Sequence, residues 1–241
     1  MNILSIGNSF STDAQRYLHS IAKADGTQLC CHNLFIGGCS LSTHYGNMLS
    51  GEKAYELEIN GESTGLNASL EETLLSRDWD IITLQQVSNE APFYETYQPY
   101  LDSIAEYVRI RVPKARLALQ QTWAYEENSY RLNTELGYKH HQDMFRDLEK
   151  AYSEAARAIN ADFVIPSGAL FQKLIQNGIQ KVHRDTFHAG LGLGRYALGL
   201  LWYSSITGRG VKSNTFCKFD EPITPEHIEI AKKCADELLA E

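Results

Sequence analysis

The sequence predicts an α/β protein, a three-layer α/β/α sandwich built on a mainly parallel sheet. Short apolar runs alternate with helix-like stretches five times along the chain, the order expected of parallel βαβ units. The run from Trp79 to Leu84 (WDIITL) is apolar almost throughout, as in a strand covered on both faces. No linker, repeat or low-complexity segment interrupts the alternation, so residues 1–241 read as one domain.

The elements follow in order. Residues 2–6 give the first strand, and a helix over 12–24 follows, with Ser11 or Thr12 as its cap. Residues 28–36 (QLCCHNLFI) give the second strand and 37–50 an irregular stretch. Residues 54–65 read as a small β-hairpin insertion, because Asn60-Gly61 suits a type I′ turn. Ser69 opens a short helix to about 76, and 79–84 is the third strand. Helical spacing over 97–112 stops at Pro113. Residues 115–121 form a strand, 139–159 a long amphipathic helix, and 161–165 the last strand, ended by Pro166. Helices near 169–177, 190–206 and 225–240 complete the chain.

Composition narrows the function classes. A formal net charge of −8 argues against nucleic acid or an anionic membrane surface as partner. There is no run of 18 apolar residues and no basic, then apolar, leader. The five cysteines are Cys30, Cys31, Cys39, Cys217 and Cys234; the number is odd and no C-x-x-C occurs. That pattern suits reduced thiols in a cytoplasm better than disulfides or a zinc site.

In such sheets functional residues gather beyond the C-terminal strand ends. Four places qualify: Gly7-Asn8-Ser9, Gly37-Gly38-Cys39, Gln85 to Asn89, and Gln120 to Trp123. A serine just past strand one, before a helix, has the position of a nucleophile whose oxyanion meets backbone N–H groups. It also has the position of an ordinary N-cap. The G-x-S-x-G elbow is absent, and no phosphate-loop motif follows. A serine nucleophile needs a base. Asp185 and His188 stand three apart before a helix, a spacing that lets a carboxylate turn back onto an imidazole. His183, Asp185 and His188 as a metal cluster is the alternative. Gly190 to Gly194 (GLGLG) follows no strand and reads as close helix packing, not a dinucleotide loop.

These blocks, taken in order, resemble the SGNH (GDSL-like) hydrolase superfamily. Gly7-Asn8-Ser9 stands for G-D-S, Asn33 to Gly38 for N-x-x-x-x-G, and Asp185-Thr186-Phe187-His188 for D-x-x-H. The third block, G-x-N-D in the family, departs: here it is Leu84-Gln85-Gln86-Val87-Ser88-Asn89. That block is similar to the Q-G-E-S of some carbohydrate O-acetylesterases. It resembles more closely a group of bacterial SGNH-like proteins with L-Q-Q-x-S and a Q-T-W strand, here Gln121-Thr122-Trp123.

The resemblance implies the SGNH hydrolase fold, with a five-stranded, flavodoxin-like sheet. It implies a serine esterase acting on short acyl, chiefly acetyl, esters of carbohydrates, with no metal or other cofactor. Ser9 would attack, His188 would act as base and Asp185 would orient it. The oxyanion hole would comprise the N–H groups of Ser9 and Gly38 with an amide from Gln85 or Gln86, the Gln-x-x-Ser spacing favouring Gln85. Asn8 and Trp123 are the expected substrate contacts. Among the other loop aromatics, Tyr45, Tyr55, Phe93, Tyr94, Tyr97, Tyr100, Tyr125 and Tyr130, some would line an acceptor cleft, since aromatic faces suit sugar rings, with core and loop packing the favoured reading of any single one. Two further readings stay open: a carbohydrate- or ligand-binding protein without turnover, and a thioesterase or lysophospholipase.

Overall fold

The computed structural model describes residues 1–240. Its centre is strand β1 (Asn2–Gly7), flanked in parallel by β2 (Cys30–Phe35) and by the strand Ile81–Leu84. β1 is buried from Ile3 onward, and its one polar side chain there, Ser5, is satisfied. Its Oγ lies 2.7 Å from Thr83 Oγ1 and accepts from Gln15 Nε2 at 2.6 Å.

Between β1 and β2 run α1 (Ser9–Gln15) and α2 (Leu18–Ala24), where the periodicity predicted one helix from 12 to 24. The cap is neither Ser11 nor Thr12. Asn8 caps the helix, its Oδ1 accepting the Phe10 N–H at 3.1 Å, so the helix begins three residues early. After β2, residues 37–50 are not irregular: α3 (Leu41–Ser50) opens on Ser40, whose Oγ accepts the Thr43 N–H. Its sequence, LSTHYGNMLS, is rich in weak helix formers and buries only Leu41 and His44, so neither propensity nor periodicity announces it.

The hairpin is β3 (Tyr55–Ile59) and β4 (Glu62–Ala68), turning at Asn60 and Gly61 with φ of +53° and +79°, as a type I′ turn requires. It is not an appendage. β3 pairs antiparallel with β2, extending the parallel five to a seven-stranded sheet. Glu58 on β3 is buried and accepts from Asn33 Nδ2 at 2.8 Å and Thr12 Oγ1 at 2.9 Å, tying hairpin, β2 and α1 together.

The chain continues through α4 (Leu70–Leu74), β5 (Ile81–Leu84), α5 (Tyr100–Arg111), β6 (Arg116–Gln120), α6 (His141–Ala158), β7 (Phe163–Ile165), α7 (Ser167–Gln176), α8 (Leu193–Thr207) and α9 (Pro225–Leu239). The sheet order is β4-β3-β2-β1-β5-β6-β7. The parallel strands thus have the flavodoxin-like order, with the direction of winding reversing between β1 and β5. Right-handed crossovers put α1 and α2 on one face and α5 and α6 on the other. The contacts agree: α1, α2 and α9 pack on α8, and α3 packs on α5. Within GLGLG, a Cβ on Gly192 would meet Glu221 O at 2.6 Å and one on Gly194 would meet Val182 O at 2.8 Å, so those glycines serve close packing. No helix among the described residues is long and apolar enough to cross a membrane.

Three histidines are buried in this framework. Burial lowers the pKa of His183 to about 4 and of His44 to about 3; burial, with Arg77 nearby, lowers His32 to about 4. All three stay neutral when folded at pH 5, where the unfolded chain protonates them. Between about pH 4 and 6.5 the unfolded state therefore binds more protons, and stability must fall as pH falls through that window. Glu58, whose carboxyl burial pushes up, opposes this in part. Denaturant unfolding at pH 7 and pH 5 should show the loss. His183→Gln, which keeps a donor for Ala124, should recover up to about 2 kcal/mol of it; an unchanged slope would remove His183 from the account.

Candidate active site

The C-terminal ends of β1, β2 and β5 open into a cavity of about 330 Å³. Ser9 reaches it because Asn8 caps α1 and leaves Ser9 as the first helical residue. Its N–H has no acceptor among the described residues, whereas Phe10 donates to Asn8 Oδ1 and Ser11 and Thr12 donate to Asn8 O. Gly7 is needed for close approach rather than for an unusual backbone angle: a Cβ there would lie 2.2 Å from Ser11 Oγ.

His188 arrives from the segment between α7 and α8. Its Nε2 lies 2.8 Å from Ser9 Oγ and its Nδ1 2.7 Å from Asp185 Oδ2. Asp185 Oδ1 accepts the His188 backbone N–H at 2.9 Å. Burial raises the Asp185 carboxyl, but the hydrogen bonds from His188 outweigh it and hold it below its ordinary value. Thr186, between them, has φ +76°, strain for a β-branched residue, and its carbonyl accepts the Glu126 N–H at 2.7 Å. His183 does not join them: its Nε2 is 3.0 Å from Ala124 O, and among the described residues no group of three His, Cys, Asp or Glu is placed to hold a metal.

Opposite Ser9, Cys39 N–H donates to Ile36 O across Gly37-Gly38, and Gly38 takes φ +64°, which glycine supplies without strain. The N–H groups of Gly37 and Gly38 find no acceptor among the described residues, and both glycines line the cavity.

Four sequence expectations change. Asn8 is almost wholly buried: besides accepting from Phe10, it donates from Nδ2 to Cys39 O at 3.0 Å and accepts from Gln85 Nε2 at 2.5 Å. Asn8 lines the cavity, but its side-chain amide is already committed to these three partners. Gln85, accordingly, stands behind Asn8 and off the cavity wall. Gln86 points away. Its Oε1 accepts the N–H groups of Leu41 and Val87, and its Nε2 donates to Thr96 O and Oγ1. Trp123 is 0% exposed, stacked between Phe10 (4.1 Å) and Phe171 (4.7 Å), with its indole N–H on Phe187 O at 2.7 Å. It braces the His188 segment from below.

Of the other aromatics expected along a cleft, Tyr125 lines the cavity; Tyr55 and Tyr97 are buried elsewhere. The wall also uses Val87, Ser88 and Asn89, from the third strand end the sequence marked, and Phe10, Arg131 and Phe187, which it did not mark as contacts. Asn89 was visible as the end of the third block. Phe187 stands 3.9 Å from the His188 ring, and the Arg131 guanidinium lies over the Phe187 ring at 4.2 Å.

The family description "Domain of unknown function (DUF4886)" matches residues 2–237. A DUF4886 family protein from Bacteroides uniformis ATCC 8492 is 31% identical, with TM-score 0.93 over 100% of this chain and 95% of that one. A Slackia heliotrinireducens protein assigned to the SGNH hydrolases is 20% identical, with TM-score 0.61 over 86% of this chain and 98% of that one. Axe2, an acetylxylan esterase from Geobacillus stearothermophilus, is 14% identical, with TM-score 0.54 over 85% and 91%. The last two likenesses establish the SGNH hydrolase fold. Among curated proteins none matches.

Gln86→Ala should strip the Leu41 and Val87 N–H groups of their acceptor. A loss of roughly 1–3 kcal/mol in unfolding free energy is expected; unchanged unfolding would show that Gln86 does not hold these groups.

Proposed function

The chain belongs to the DUF4886 family, and we propose that it is a serine esterase removing short acyl groups, acetyl above all, from carbohydrate hydroxyls. One observation carries the reading: the unbroken hydrogen-bonded series Ser9–His188–Asp185 at the wall of an open cavity.

In this reading Ser9 Oγ attacks the ester carbonyl while His188 Nε2 takes its proton. The Nδ1–H donated to Asp185 fixes the tautomer and stabilises the imidazolium. The carbonyl oxygen, now an oxyanion, is received by the N–H groups of Ser9 and Gly38. His188 returns the proton to the leaving sugar alkoxide, and water attacks the acyl-Ser9 by the same relay in reverse. Asp185, held below the ordinary carboxylate value, stays ionised throughout. Phe10, Val87 and Phe187 give the acyl group an apolar seat, while Asn89 and Arg131 offer polar groups to the alcohol part. A cavity of about 330 Å³ suits an acetyl group and one sugar ring better than the long acyl chain of a lysophospholipid or thioester.

A second reading, ligand binding without turnover, draws on the third block. The side-chain amide expected in the oxyanion hole is spent on Asn8, which leaves backbone donors alone.

Ser9→Ala should lower kcat on an aryl acetate by at least about 10⁴-fold with little change in thermal unfolding. A serine-directed phosphonate should label wild-type Ser9. Aryl acetate should outrun aryl octanoate. An unlabelled serine in protein that still binds acetylated sugars would establish the second reading instead.

A further inference from the structure

The Asp13 carboxylate is 0% exposed and lies one helical turn after Ser9 on α1. It accepts from Arg184 Nη1 at 2.9 Å on each oxygen, from Arg195 Nε at 2.8 Å, and from the Ala189 N–H at 3.1 Å. About four lone-pair directions are available to a carboxylate, and these contacts occupy them. Ala189 directly follows His188. Arg184 Nη1 also donates to the Ala189 carbonyl at 2.6 Å, and the Arg184 N–H donates to His188 O at 3.0 Å. The segment carrying the base is therefore clamped, at both polar groups of Ala189, to the helix carrying the nucleophile. Arg195 is itself fixed by Asp220 at 3.0 Å, and Asp220 by Arg16.

Arg184 has a second carboxylate in reach. Its Nε is 3.9 Å from Asp185 Oδ2, the same oxygen that receives His188 Nδ1. A guanidinium drawn fully onto that oxygen would compete with the imidazole N–H. It would also cancel part of the negative charge that stabilises the imidazolium. Asp13 holds the guanidinium by its other edge.

We propose that Asp13 is a positioning residue for the reaction: it sets the approach of His188 to Ser9 through Ala189 and withholds Arg184 from Asp185. The proposal rests on the Ser9–His188–Asp185 reading above. Buried ion clusters add little stability over apolar residues of equal volume. What singles this one out is its place between nucleophile and base.

The charged groups around the His188 ring are Asp185 and Arg184 on its own segment, Asp13 on α1, and Arg131 above Phe187; His183 behind it is kept neutral by burial. Asp13→Asn keeps the shape and removes the charge. On an aryl acetate, kcat should fall roughly 10- to 100-fold with KM nearly unchanged, the scale seen when the partner orienting a functional histidine is lost. The midpoint of the activity–pH profile should move down by roughly half a unit, because negative charge is lost and Arg184 is freed toward Asp185. Arg184→Gln leaves Asp13 its bonds to Arg195 and Ala189 and removes the competing cation, so the midpoint should move up. A purely structural Asp13 would lower the folded fraction and scale every rate without moving the midpoint. That result, or wild-type kinetics in Asp13→Asn, overturns the proposal. If Asp13→Asn does not fold, Arg184→Gln decides: an upward midpoint supports the role and an unmoved one overturns it. Titration of the His188 ring by NMR in the same variants reads the same displacement without turnover. Failure of the esterase reading, seen as a Ser9 that no phosphonate labels, is thereby kept apart from failure of the Asp13 role.

Discussion

The site depends on one buried amide. Asn8 touches three strand ends at once: Phe10 N–H at the start of α1, Cys39 C=O after β2, and the Gln85 side chain after β5. The backbone partners fix which end of the amide is which, since an N–H can only donate and a C=O can only accept. Oδ1 must face Phe10, Nδ2 must face Cys39, and Gln85 must then donate from Nε2. An aspartate, the residue the SGNH pattern has here, could not donate to the Cys39 carbonyl. Two departures of this chain from that pattern, Asn8 in the first block and Gln85 in the third, are thus the two halves of one hydrogen bond.

On the proposed reading, this bond bears on catalysis. By capping α1, Asn8 satisfies Phe10 and leaves the Ser9 N–H for a ligand; by holding Cys39, it sets the turn that presents Gly37 and Gly38. Donors aimed beforehand at a developing negative charge need no reorganisation when the charge appears. The donors here are backbone groups whose directions are set by a buried side chain, which is a stiffer arrangement than a long amide reaching in from the wall.

The other half of the site is held from outside the sheet. His188 and Asp185 sit on a segment with no helix or strand of its own. Trp123 supports it from below through Phe187, and Glu126 and Arg184 hold its backbone at Thr186 and Ala189. A left-handed, β-branched Thr186 persists because those contacts over-determine it. On the proposed reading, the nucleophile is rigid through the sheet and the base through a ring of side chains, so the two halves meet only if both are correctly built.

The sequence by itself determined whatever depends on near neighbours. Short apolar runs marked the strands, Asn60-Gly61 marked the hairpin turn, and the spacing of Asp185 and His188 marked a carboxylate that can reach an imidazole. Each is local, fixed by backbone geometry within a few residues. Legibility ended where local signals were weak: α3, with few apolar residues and a serine cap, looked irregular, and the hairpin gave no sign that it would pair with β2. Only the tertiary structure decided what chemically equal residues do. Gln85 and Gln86 are neighbours of one type just past the end of β5, yet one meets Asn8 and the other Leu41, Val87 and Thr96. Trp123 reads as a loop aromatic fit for a sugar, yet stacking on Phe10 and Phe171 buries it. Asp13 reads as one more polar residue of a helix, yet its partners lie more than 170 positions away. A buried polar group is specified by whichever donors the fold brings to it, and no spacing along the chain encodes that meeting.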